Sequence, residues 1–155
     1  MKKILLIIAV LTFSLNTNAQ EKINWLSFEE AIKLNNENPK PILIDIYTDW
    51  CGYCKKMDLQ TYSNKTISDY INNNFYAVKL DGEEKKDITF LGKTFVYKPS
   101  GNKTGTHELA KELATLNGKI AYPTTTILNR TFLIDLQING FINSKKMERI
   151  LRKQN

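Results

Sequence analysis

One histidine, His107, and two cysteines, Cys51 and Cys54, are the whole supply of imidazole and thiol metal ligands in this 155-residue chain. A zinc site takes four protein ligands, or three and a water, so no metal centre is expected from one Cys-x-x-Cys and a single distant histidine. A Gly-rich phosphate loop is missing, as is any serine, histidine and aspartate arrangement, which leaves nucleotide chemistry and serine-type hydrolysis without their usual residues. Repeats and low-complexity tracts are absent as well. With 42% hydrophobic and 25% charged residues, the chain reads as one globular domain around a single core. Acidic residues are the minority, 16 against 22 Lys and Arg. The basic excess is scattered among acids without interleaved aromatics, so nucleic acid is not an expected partner.

No apolar run reaches the roughly 20 residues that a bilayer-spanning helix needs. The N-terminal one covers residues 4–15, only 12 residues. It follows the basic Met1-Lys2-Lys3 and precedes the small residues of Thr17-Asn18-Ala19, and so reads as a bacterial Sec-type signal peptide, residues 1–19, cleaved after Ala19. The mature domain would be residues 20–155, with 20 basic and 16 acidic side chains and a net charge of +4. No cysteine lies near the cleavage site to carry a lipid, so no stable membrane anchor is expected after cleavage. The expected location is periplasmic or secreted, where a cysteine pair meets oxidising conditions.

What the chain does have is Cys51-Gly52-Tyr53-Cys54 between an apparent strand and an apparent helix. Residues 41–47, Pro-Ile-Leu-Ile-Asp-Ile-Tyr, form a short β-branched run that reads as a strand buried on both faces. Residues 55–62 contain no Gly or Pro and can continue a helix. A thiol at the first turn of that helix meets unpaired N–H groups and the positive end of the helix dipole, both of which favour thiolate. Cys51 is therefore the expected nucleophile, and Cys54, one turn further, the resolving thiol.

The segment Leu43-Ile44-Asp45-Ile46-Tyr47-Thr48-Asp49-Trp50-Cys51-Gly52-Tyr53-Cys54-Lys55-Lys56-Met57 resembles the active-site strand, loop and helix of the thioredoxin superfamily. The closer likeness is to its exported bacterial thiol:disulfide oxidoreductases. The resemblance implies an α/β thioredoxin-like fold, a central mixed β-sheet flanked by helices, and a redox-active Cys51–Cys54 disulfide with no other cofactor. It also implies roles for further residues. Asp45 matches a buried carboxylate six residues before the nucleophile, able to take the Cys54 proton, and Lys79 matches the lysine that pairs with it. Tyr122-Pro123-Thr124 resembles the cis-proline loop facing the disulfide, and Gly140 the glycine before the last helix. Trp50, Gly52, Tyr53, Tyr122, Pro123 and Gly140 would line the groove for a protein substrate. Two departures stand out. Gly-Tyr replaces thioredoxin's Gly-Pro between the cysteines, and residues 82–121 form an insertion before the cis-proline loop.

Around these motifs, Ser27-Phe28-Glu29-Glu30 reads as a capping box opening a helix over 28–36. A helix is expected over 66–73, a second central strand over 75–80, strands over 124–128 and 132–137, and a terminal helix over 144–153. Within the insertion, a hairpin turning at Gly92-Lys93, a loop at 99–102 and a helix over 106–116 ended by Asn117-Gly118 are expected. His107 falls at the start of that helix, in a surface or capping role.

The expected activity is thiol–disulfide exchange on protein substrates, as reductase or isomerase, with a membrane-bound or exported redox partner. The alternative is a non-catalytic binding module that keeps the same fold and holds the two cysteines as an inert structural disulfide.

Overall fold

The computed structural model describes residues 22–102 and 104–154; the expected signal peptide lies outside them. The described chain begins with a two-residue strand, β1 (Trp25–Leu26), too short to leave a periodic signal and absent from the expectations above. Helix α1 (Phe28–Glu37) starts at the predicted capping box. Ser27 Oγ accepts from the Glu30 N–H, and Glu30 Oε2 accepts from the Ser27 N–H, an arrangement worth about 1 kcal/mol. Strand β2 (Ile42–Tyr47) is buried along almost its whole length, as its β-branched composition requires.

Helix α2 (Gly52–Met57) does not continue as a regular α-helix through residue 62. It passes into a π-helical turn, Asp58–Tyr62, closed by the Ser63 N–H on the Asp58 carbonyl. The wider turn brings both Thr61 and Tyr62 inward, and the Thr61 hydroxyl donates to the Ile142 carbonyl. Helix α3 (Lys65–Asn74), capped by Asn64, leads to β3 (Tyr76–Asp81).

The insertion folds into three hairpins and one helix. The first pairs β4 (Ile88–Phe90) with β5 (Lys93–Phe95), and its turn is Leu91-Gly92 rather than the expected Gly92-Lys93. Both turn residues have positive φ, 51° and 78°, the twist that a two-residue hairpin favours. Leucine carries no left-handed preference, which hid the register. The second pairs β6 (Tyr97–Pro99) with β7 (Gly105–His107), so the expected loop is the tip of a hairpin. Helix α4 (Glu108–Ala114) is shorter than the expected 106–116. Thr115 turns extended, and its hydroxyl takes the Lys111 carbonyl. Asn117-Gly118 does not cap that helix but turns the third hairpin, β8 (Thr115–Leu116) with β9 (Lys119–Ile120). His107 is the N-cap, accepting from the Leu109 N–H through Nδ1, and is wholly buried rather than at the surface.

Strands β10 (Thr124–Leu128) and β11 (Ile134–Asn139) and helix α5 (Ser144–Leu151) complete the chain. The last strand starts two residues later than expected, because Asn129 Oδ1 gathers the N–H groups of Thr131 and Leu133 into the turn.

The main sheet has the order β1-β3-β2-β10-β11, parallel between β1, β3 and β2 and antiparallel from β2 through β10 to β11. The two faces are covered differently. Ile42, Ile44, Ile46, Val78 and Leu80 pack with Phe28 of α1 and with the insertion's Phe90, Phe95, Leu109 and Leu113. On the other face, Leu43, Ala77 and Ile127 meet Met57, Ile67, Ile71, Met147 and Leu151 from the remaining helices. Each fully buried Ile or Leu contributes about 1.5–3 kcal/mol. Side chains alternate along a strand, so Asp45, Lys79 and Thr125, paired across β2, β3 and β10, share this second face with α2. This is the thioredoxin fold.

Candidate functional site

Cys51 caps α2. Its backbone is extended, its N–H donates to the Thr48 carbonyl at 3.1 Å, and its Sγ accepts from the Cys54 N–H at 3.1 Å. The first helical turn sets the two Cα atoms 5.3 Å apart, inside the range a disulfide bridges, and Cys51 and Cys54 are joined by one. Cys51 is 5% exposed and Cys54 3%. Gly52 sits on the open side of the pair, with nothing within 4 Å of where a Cβ would be.

The predicted groove residues assemble in two groups. Trp50, 67% exposed, meets Tyr122 edge to face at 5.9 Å between ring centres, and its Nε1 donates to Glu83 Oε2 at 3.1 Å. The Tyr122–Pro123 peptide is cis, and the Gly140 N–H donates to the Pro123 carbonyl at 2.7 Å. Tyr53, 65% exposed, stands apart with no ring contact among the described residues. Glu83 was not foreseen as a residue of this site. Its signal, a charged run opening the insertion, reads as ordinary solvated surface.

Gly82 ties the insertion to this wall. Its N–H donates to the Tyr47 carbonyl and its own carbonyl accepts from the His107 N–H. A Cβ here would lie 2.5 Å from Tyr122 Oη. Gly82→Ala is therefore expected to push the Tyr122 ring off Trp50, at a loss of about 1–3 kcal/mol in urea unfolding with a changed Trp50 fluorescence. An unaltered midpoint and spectrum would show that the ring swings aside freely.

Asp45 is 1% exposed. Burial pushes its carboxyl up to about 7, an effect opposed by Lys79 and reinforced by the charge of Asp58. The expected pairing with Lys79 is long. Lys79 Nζ lies 3.9 Å from Asp45 Oδ2 but 2.5 Å from Asp58 Oδ1. Asp58, seven residues after Cys51 on the π-turn, is thus a second acid at the site. Sequence patterning did not single it out; it closes α2, its N–H still on the Cys54 carbonyl, and its partner Lys79 lies on a separate strand. Around Asp45 lie further buried groups. Neither Asp45 oxygen makes a hydrogen bond, nor do Tyr62 Oη and Thr125 Oγ1, among the described residues. Burial, and then the Asp45 charge, hold the Tyr62 phenol well above its ordinary range.

A pocket of about 750 Å³ lies elsewhere, in the insertion between Lys93, Lys98, Glu108, Lys111 and Glu112. His, Cys, Asp and Glu side chains form no group able to hold a metal among the described residues. No helix among them is long and apolar enough to cross a membrane.

This geometry has relatives. A DsbH oxidoreductase structure superposes with a TM-score of 0.58 at 15% identity, covering 87% of this chain and 88% of that one, a likeness of fold. The thiol:disulfide interchange protein DsbD of Pseudoalteromonas atlantica is 26% identical over 68 residues, 43% of this chain. Protein B0495.5 of Caenorhabditis elegans is 31% identical over 86 residues, 55% of this chain. The chain spans 12% of the length of each of these two. A family model named Thioredox_DsbH, described as a protein of unknown function, DUF255, matches residues 9–132. That match runs through the cysteine pair, Lys79 and the cis-proline loop, and the chain belongs to this family within the thioredoxin superfamily.

Proposed function

We propose that the protein is an exported thiol–disulfide oxidoreductase acting on protein disulfides, as reductase or isomerase. The observation that carries this reading is the Cys54 N–H directed at Cys51 Sγ from the first helical turn. Once the disulfide is reduced, the same N–H favours the Cys51 thiolate, the form that attacks. In the reducing direction, Cys51 thiolate attacks a substrate disulfide sulfur. One new S–S bond forms, the substrate's own breaks, and one substrate sulfur leaves as thiolate. Cys54 then loses its proton to Asp45, directly or through water, and attacks Cys51 Sγ. The second substrate sulfur leaves, and the enzyme ends oxidised at Cys51–Cys54. Two electrons have passed to the substrate, and an exported or membrane-bound dithiol partner must return them. Trp50, Gly52, Tyr53, Tyr122, Pro123 and Gly140 hold the substrate chain, and the 82–121 insertion selects partners. Residues 1–19 act as the signal peptide for a periplasmic or secreted domain of residues 20–155. The thiol:disulfide interchange named for DsbD supports the reading.

The near-complete burial of both cysteine residues favours a second reading, a binding module with an inert structural disulfide. Equilibrium titration of the pair against glutathione, together with alkylation of the reduced protein near pH 7, separates the two. Rapid alkylation of Cys51 and a potential near about −230 mV or lower are expected for a reductase, and about −180 mV for an isomerase. Alkylation no faster than that of a free cysteine supports the inert module.

A further inference from the structure

The Lys79 ammonium has two carboxylate neighbours of opposite character. Asp45 is buried on β2, and Asp58 is part-exposed on the π-turn after α2. The lysine sits against Asp58 at 2.5 Å and leaves 3.9 Å to Asp45. It is also steadied over the faces of Tyr47, at 5.1 Å, and Trp25, at 5.5 Å. We propose that Asp58 is a positioning residue for Asp45. It draws the Lys79 ammonium to itself and leaves the buried carboxyl group with only a distant counter-charge.

The consequence is chemical. A carboxylate closely paired with a lysine is a weak base near neutral pH, whereas one left half-compensated in a buried site holds a proton readily. Asp45 is faced by Lys79 from β3, Asp58 and Tyr62 from the π-turn, Thr125 from β10 and Tyr47 along its own strand. Of these, Lys79 is the cation and Asp58 the group that decides where the cation rests. The raised Asp45 carboxyl and the sign of the Asp58 contribution agree with this arrangement. The inference rests on the proposed thiol–disulfide exchange, in which Asp45 takes the Cys54 proton.

The test is the titration of Asp45 by carbon-detected NMR in the oxidised full chain, comparing wild type with Asp58→Asn, and repeating the pair in a Lys79→Met background. Asp58→Asn is expected to lower the Asp45 midpoint by about one pH unit or more, and to do so clearly less once Lys79 is gone. In turnover, the pH dependence of mixed-disulfide resolution should move down by the same amount, with Asp58→Glu restoring it. An Asp45 midpoint that Asp58→Asn leaves in place would overturn the inference, and so would an equal change in both backgrounds, which would make Asp58 a plain through-space charge. The titration needs no activity. A wild-type chain that fails to exchange disulfides would count against the proposed function and leave the charge relation standing.

Discussion

Cys51→Ser is expected to abolish disulfide exchange, lowering turnover by about a thousand-fold or more, to the background rate. Cys54→Ser should instead stop the reaction half-way, with substrate held covalently on Cys51. The asymmetry comes from the helix start. Only Cys51 Sγ accepts the Cys54 N–H, so only that sulfur gains thiolate stabilisation from the backbone. A serine hydroxyl in its place stays protonated at neutral pH and attacks no sulfur. Removing Cys54 leaves the first step intact and deletes the thiol that would release the adduct. Non-reducing electrophoresis with intact mass would read both outcomes. An adduct that forms on Cys54 in the Cys51→Ser variant, with none on Cys51 in the other, would reverse the two roles.

Asp45→Asn is expected to stabilise the fold above neutral pH by up to about 4 kcal/mol while slowing resolution of the mixed disulfide. The carboxyl sits at about 7 in the folded chain and near about 3.9 when unfolded. Between those values the folded state binds more protons than the unfolded state, so stability falls as pH rises from about 4 to about 7. Above that window the native protein bears the full penalty of a buried carboxylate. Below it both states are protonated and the penalty is gone. The window is about three pH units wide, and at about 1.4 kcal/mol for each it sets the upper size of the gain. Asparagine carries no charge to bury, and Lys79 keeps Asp58 as its partner at 2.5 Å, so the lysine is not stranded. Urea unfolding at several pH values should show the two proteins converging near pH 4 and diverging toward pH 8. Curves that stay parallel would mean that Asp45 titrates alike in both states. If stability rises without any loss of resolution rate, Asp45 is not the proton acceptor.

Local chemistry was the legible part of this chain. Ser27 and Glu30 announce α1 because a capping box is complete within four residues, and the run 41–47 announces a buried strand because its β-branched side chains suit little else. The cysteine spacing carried the fold family, since Asp45, Trp50, Lys79 and Pro123 stand at matching intervals around it. What stayed hidden depends on where distant elements meet. Asp58, at the end of α2, reaches Lys79 on a strand 21 residues further on, which no residue preference foretells. Thr125 faces Asp45 only through strand pairing, and Glu83 holds Trp50 from a segment that reads as solvated charge. His107 shows the same limit from the other side. Its capping role followed from its position before a helix, but its burial followed from packing across the insertion.

The insertion's attachment has an evolutionary consequence. Residue 82 at one end lies against the ring of Tyr122 just beyond the other, so this long excursion leaves β3 and returns to β10 across the width of β2 alone. Lengthening such an excursion costs only about 0.6 kcal/mol per doubling in closure entropy, and the hairpin tips are free to vary. Its base is not. Ile88, Phe90, Phe95, Leu109 and Leu113 share with α1 the cover of one sheet face, and excision back to a short connection would open part of that face to water. Related chains should therefore differ most in the length of these hairpin tips and least in the five apolar positions beneath them.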